Sequence, residues 1–251
     1  MVALLVLLPC VPARAQISTT EFLPEFDAYV RLNSNVRFVF QAKGAVEGDG
    51  LPRADLGPSL QFYLKPLKKL LDVTVFDMDD AKRRPMMFTI GYRVLRSPNK
   101  PTVNRMEPVV MFHIPLKDRI LITDRNRADL DWSNGGFNWR YRNRLAVERR
   151  LSIGSYHPGP YASAEFFYTS IYAKWSTTRL YAGCLLPLGK HLELDPYYEH
   201  DNSTGKRPNR QISAAGLILS LFFPTARNET VREGAVSEAG LRSTKTWTKK
   251  Q

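Results

Sequence analysis

Residues 54–65, ADLGPSLQFYLK, alternate with a period of two. Ala54, Leu56, Pro58, Leu60, Phe62 and Leu64 fall on one side of an extended chain. Asp55, Gly57, Ser59, Gln61, Tyr63 and Lys65 fall on the other. The same split runs through WRYRNRLAVER at 139–149, where Arg140, Arg142, Arg144 and Glu148 share one face. Trp139, Tyr141, Leu145 and Val147 share the opposite one. At about 100° per residue a helix would scatter those arginines around its surface, so this segment predicts a strand. HLELDPYYE separates Leu192, Leu194, Pro196 and Tyr198 from Glu193, Asp195, Tyr197 and Glu199. RADLDW sets Ala128, Leu130 and Trp132 against Arg127, Asp129 and Asp131, and Arg125 extends the charged face.

Composition predicts further strands near 22–32, 36–44, 69–77, 86–95, 105–115, 160–172, 176–186 and 209–223. Turn signals separate them: Asn33-Ser34-Asn35, Gly48-Asp49-Gly50, Ser133-Asn134-Gly135-Gly136, Pro158-Gly159-Pro160 and Asn202-Ser203-Thr204-Gly205. Pro66-Leu67-Lys68, Pro115-Leu116-Lys117 and Pro187-Leu188-Gly189-Lys190 read as tight hairpin links. No segment past the N-terminus sustains helical periodicity. The expectation is an antiparallel meander of about twelve strands. The piece LKKLLDVTVF can also extend its neighbour, which makes ten the even-numbered alternative.

A soluble sandwich and a membrane barrel both alternate; the content of the polar face separates them. A sandwich shows scattered polar residues to water, whereas a lumen crowds charges that must answer one another. Here Arg125, Arg127, Arg140, Arg142 and Arg144 stand on two neighbouring strands, with Asp129, Asp131, Glu148, Glu165, Glu193, Asp195 and Glu199 on other polar faces. Arginine suits that role because its planar fork binds carboxylates in pairs. The apolar faces carry Trp132, Trp139, Tyr141, Trp175 and Tyr198 near strand ends, as an aromatic girdle at a lipid boundary does. The expected fold is all-β: an antiparallel up-and-down transmembrane β-barrel with a charged lumen.

The first residues, MVALLVLLPCVPARAQ, change the compartment. An apolar run from Val2 to Leu8 is followed by Ala13-Arg14-Ala15, a signal-peptide cleavage pattern too short to span a bilayer. Segment 1–15 is therefore expected to be an export signal, 16–223 the barrel, and 224–251 a polar, disordered tail. Cleavage would remove Cys10 and leave Cys184 alone, which excludes an intrachain disulfide. The chain carries a net charge of +12. In an exported protein that favours anionic solutes or lipopolysaccharide phosphates over nucleic acid as partners.

The stretches DRNRADLDW, FNWRYRNRLAVER, PYASAEFFYTSIYAKWSTTRLYAG, PLGKHLELDPYYE and SAAGLILSLFF resemble a family of uncharacterised outer-membrane β-barrel proteins of Gram-negative bacteria. The resemblance covers most of 21–223, and its most specific part is the W-R-Y-R-N-R core at 139–144. It implies a bacterial outer-membrane location, lipid and lipopolysaccharide around the wall, and folding by the barrel-assembly machinery. It implies no catalytic residue. Such barrels usually end on an aromatic residue, which Phe222 or Phe223 would supply, whereas here a polar tail continues.

Two roles fit an arginine ladder. Lumen arginines at a constriction concentrate anions and repel cations, giving a narrow anion-leaning pore. Ion-paired with neighbouring carboxylates, they instead fill the barrel and fix strand register. Two other classes stand as alternatives: an outer-membrane lipid-modifying enzyme and a soluble periplasmic all-β binding protein. An enzyme needs a nucleophile and a base. The chain has His113, His157, His191 and His200, with Ser155 near His157, but no G-x-S-x-G. No cofactor or metal is expected: there is no zinc spacing, and Asp77, Asp79 and Asp80 lack the calcium-loop pattern.

Overall fold

A computed structural model describes residues 17–47, 53–64, 82, 84–98, 100–205 and 209–223. The expected export segment 1–15, the expected tail 224–251, the expected strand 69–77, the Gly48–Gly50 turn, the Pro66–Lys68 link and the Asp77–Asp80 run lie outside these residues.

Eleven strands make one closed barrel. They are β1 (Ile17–Arg31), β2 (Val36–Glu47), β3 (Arg53–Tyr63), β4 (Met86–Arg96), β5 (Val103–Leu116) and β6 (Ile120–Ser133). β7 (Gly136–Arg149), β8 (Gly159–Thr169), β9 (Lys174–Pro187), β10 (Leu192–Ser203) and β11 (Arg210–Phe223) complete it. Consecutive strands pair antiparallel, and β1 closes the wall on β11 in parallel, from Ile17 opposite Arg210 to Val30 opposite Phe223. This corrects the expected count of twelve and the wholly antiparallel meander. β3 pairs directly with β4, and an odd number of alternating strands leaves the first and last running the same way.

Turn chemistry fixes the register of the arginine-bearing hairpin. β6 and β7 are joined by Asn134 and Gly135 alone, at φ of 47° and 73°, between the paired Ser133 and Gly136. Two left-handed residues in a two-residue loop suit the right-handed twist of the hairpin, which is why Asn-Gly stands there. The expected strand 160–172 ends earlier, at Thr169, because 170–173 turn through Ala173 at a φ of 48°. The five connections on the Asn134 side form one rim; those on the Asp118 side form the other.

The wall is apolar outside and charged inside. Leu145, Val147, Phe166, Leu180 and Phe223 are exposed on the outer surface, whereas Asp129, Glu165, Glu199 and Arg142 are buried on the inner one. Apolar residues inside form small clusters: Leu23, Tyr181, Tyr197 and Ala214 in one, and Tyr63 with Met87 in another. Strand glycines make room for the inner rings. A Cβ on Gly216 would stand 2.0 Å from Cζ of Tyr197, and one on Gly183 2.6 Å from the Tyr161 hydroxyl.

Candidate functional site: the barrel interior

Period-two alternation sends the odd-numbered residues of β4, β5, β6, β8 and β10, those of β9 from Thr177 on, and the even-numbered residues of β7 into the barrel; at the start of β9 a register shift turns Trp175 outward and Ser176 inward. Their charges link across the strands. On β4, Arg93 meets Glu107 of β5 at 3.4 Å, and Glu107 also accepts from Arg127 of β6. Arg127 bonds Asp129 on its own strand, and Asp129 in turn accepts from Arg140 of β7 at 2.6 Å. Arg142 gives Glu165 of β8 two bonds of 2.9 Å, and Arg144 adds a third of 2.9 Å. Tyr181 of β9 donates to Glu165 at 3.1 Å, and Arg179 beside it binds Glu199 at 3.0 Å and Asp201 of β10 at 2.7 Å. With the longer Arg142–Asp129 contact of 3.7 Å and the Tyr181 hydroxyl, which also accepts from Arg179 at 3.3 Å, these ion pairs form a continuous network from β4 to β10. Asp129 and Glu165 have no solvent exposure at all. Carboxylates so placed are tolerable only because several guanidiniums converge on each.

Aromatic faces support the same cations. Phe167 lies between Arg142, Arg179 and Arg140, at 4.6, 5.0 and 5.5 Å from its ring centre, and Arg144 sits 4.1 Å over Tyr181.

Every residue expected in the charge network faces inward, but the partners differ in kind. Arg127, Arg140, Arg142, Arg144, Asp129 and Glu165 form the centre of the lattice. Asp131 takes both arms of Arg105, at 2.5 and 2.8 Å. Glu148 binds Lys82 at 2.5 Å, and Asp195 accepts from the Tyr161 hydroxyl at 3.0 Å. Glu193 and Glu199 are buried on the inner face of β10. Arg125 alone of the five arginines has no ion pair among the described residues.

Sequence reasoning missed Arg93, Arg105, Glu107, Arg179 and Asp201. The signal was present: NRMEP alternates Arg105 and Glu107 with Asn104, Met106 and Pro108. On the far wall it also missed Lys43 with Glu25, 3.1 Å apart, and Arg53 with Glu21, 2.5 Å apart.

A cavity of about 670 Å³ lies within the barrel. It reaches from Arg96 and Ser97 near the Asn134 rim to Lys82 and Met111 toward the other, and Arg125, Arg127, Arg140, Arg142 and Arg144 line it. Basic side chains outnumber acidic ones in that lining.

The five expected girdle residues all stand on the outer face; Trp132, Trp139 and Trp175 lie toward the Asn134 rim, whereas Tyr198 is in the middle of β10. Trp139 stacks on Tyr168 at 5.6 Å, and Trp175 meets Tyr168 and Tyr141 edge-on at 5.8 and 6.0 Å. Trp132 packs on Phe137 at 5.3 Å, and the Tyr198 hydroxyl donates to Ser213 Oγ at 3.1 Å. A polar cluster that includes a carboxylate interrupts the apolar outer wall. Asp124 accepts from Asn143 at 2.7 Å and from Asn126 at 3.1 Å, and the Tyr141 hydroxyl donates to Asn126.

The family model described as "Protein of unknown function (DUF2490)" matches residues 85–211. The chain belongs to that family. The DUF2490 stretch spans β4 to β10 and the start of β11, so it contains every ladder residue from Arg93 to Asp201. A comparison with curated proteins gave no match.

The histidines are dispersed. His113 is buried, with Nδ1 2.7 Å from the Arg84 carbonyl; His157 and Ser155 are exposed in the loop between β7 and β8. His200 Nδ1 stands 3.4 Å from Ser213 Oγ on the outer wall. Among the described residues no group of three or more His, Cys, Asp or Glu side chains could hold a metal ion.

Proposed function

We propose that this chain is an exported outer-membrane β-barrel whose outer wall contacts lipid and lipopolysaccharide, and whose interior is a narrow passage favouring small anions. One observation carries the location: the wall is inverted relative to a soluble protein. Its ion pairs are enclosed, while Trp175, Phe137 and Leu180 stand more than half exposed on the outside or at its rim. In water so much contiguous apolar surface would drive association; against acyl chains it costs nothing. Strands of 11 to 15 residues exceed the 9–11 that a tilted membrane strand needs. Membrane barrels with an odd number of strands are known. Folding by the barrel-assembly machinery follows from the same reading.

The elongated cavity and its cationic lining support a passage over a filled scaffold. The structural-barrel reading is favoured by one observation, the saturation of Asp129 and Glu165 by surrounding guanidiniums. A lipid-modifying enzyme has less in its favour. His200 and Ser213 form a long contact, and among the described residues no third group orients that imidazole.

Two measurements test the reading. Extracted in detergent, an intact membrane barrel migrates as a compact species on a denaturing gel until boiled, whereas a soluble periplasmic binding protein would be released without detergent. In planar bilayers the protein should conduct with a preference for anions, and an Arg140→Gln, Arg142→Gln, Arg144→Gln triple variant should lose that preference. Absence of any conductance would leave the structural barrel and remove the passage.

A further inference from the structure

We infer that the interior holds a binding site for a small oxyanion of the phosphate class, built on Arg125 and Arg144. The inference rests on reading the interior as open to solvent, and is independent of whether ions pass through it. Arg125 of β6 and Arg144 of β7 stand opposite one another in register, and both line the cavity. Each of their neighbours already has its charge answered. Arg127 and Arg140 share Asp129, and Arg142 binds Glu165 through two parallel bonds. Arg144 spends Nη2 on Glu165 and on the Tyr181 hydroxyl, at 2.9 and 2.6 Å. Its Nε is buried and has no hydrogen-bond partner. Arg125 takes neither a hydrogen bond nor an ion pair among the described residues.

Glu165, the carboxylate beside both, is already shared: Arg142 binds both its oxygens, and Arg144 and Tyr181 both bond to Oε2. Arg142 and Arg144 thus share one carboxylate and Arg125 adds a third guanidinium, so the site is short of negative charge where the Arg125 donors remain unused. The Arg125 fork on β6 stands opposite the Arg144 guanidinium on β7. That arrangement suits a tetrahedral acceptor with several oxygens better than a spherical halide. Enclosed by the wall, the pair is screened less by salt than a surface site would be. Free phosphate and a phosphomonoester on a small solute share this chemistry, and the room beside Thr123 and Ala146 in the cavity lining admits either.

The test uses the full chain folded in detergent micelles, with inorganic phosphate and glucose 6-phosphate titrated by calorimetry against sodium chloride at constant ionic strength. Saturable binding at one site is expected for phosphate, for the sugar phosphate, or for both, and which of them binds tells the two sources apart. Arg125→Gln should weaken it tenfold or more, while Arg149→Gln, on the exposed outer side of β7, should leave it unchanged. Phenylglyoxal labelling of the wild-type protein guards against misfolding of the variant. Arg125 should react ahead of the ion-paired arginines, and phosphate should protect it. Failure of both ligands to saturate, or equal binding by wild type and Arg125→Gln, overturns the site. Lack of conductance alongside intact binding would overturn the passage alone.

Discussion

Arg142 reaches diagonally from β7 to Glu165 on β8 and meets it fork to fork, Nε to Oε1 and Nη2 to Oε2, each at 2.9 Å. Residue 165 is directly opposite Arg144, which binds the same carboxylate. One buried anion thus ties two arginines of β7 to β8, and its loss should cost more than the loss of either cation. Glu165→Gln leaves Arg144 without a counter-charge and Arg142 with Asp129 alone, 3.7 Å away; Arg142→Gln leaves Glu165 still bound by Arg144. Breaking a buried pair from one side costs about 3–5 kcal/mol. Urea unfolding of the detergent-folded protein, read by gel mobility, should place Glu165→Gln below Arg142→Gln, and both below wild type. Near-wild-type stability of Glu165→Gln would mean that the lattice does not hold the strands together.

The alternation that predicted β3, β6, β7 and β10 was legible because those strands keep nearly every inward position polar. β1 and β5 also face inward with Leu23, Val109 and Met111, so their charged face reads as interrupted, and Glu21, Glu25, Arg105 and Glu107 went unnoticed as a set. Which arginine meets which carboxylate was not legible at all. Arg142 skips its directly opposite Phe167 for Glu165, a diagonal that depends on register and twist rather than on spacing along the chain. The parallel closure was hidden for a similar reason: it follows from the parity of the whole strand count, which no single segment reports.

Gly216, the one glycine of β11, should not tolerate a side chain. Any Cβ there meets the ring of Tyr197 at 2.0 Å, and that ring is itself buried, 5.9 Å from Tyr181. Gly216→Ala must displace the ring, an overpacking expected to cost about 1–3 kcal/mol. At Gly136 the nearest atom would be 3.4 Å away, so Gly136→Ala should be almost silent. Thermal unfolding of the two variants side by side checks the contrast. Adding Tyr197→Leu to Gly216→Ala should recover part of the loss.

The outward cluster of Asp124, Asn126 and Asn143 puts a carboxylate on the apolar wall. Against lipid, a lone carboxylate is unfavourable, although by less than the roughly 2–4 kcal/mol that Arg or Lys costs at mid-bilayer. Replacing all three by leucine should therefore raise the unfolding midpoint in lipid vesicles. A fall in stability, or aggregation in detergent, would indicate that water or a polar partner covers this patch instead of acyl chains.

The aromatic residues make the membrane assignment measurable with light. Three of the four tryptophans, Trp132, Trp139 and Trp175, face outward near one rim, and the fourth, Trp247, belongs to the tail. In a Trp247→Phe background the remaining emission comes only from the wall. Tryptophans at the level of the lipid headgroups are quenched most by bromines placed high on the acyl chains and less by bromines near the bilayer centre. That order is the expected result in reconstituted vesicles, with little quenching by aqueous acrylamide. Strong acrylamide quenching with no response to brominated lipid would put these rings in water, and the wall would then have to be covered by something other than a bilayer.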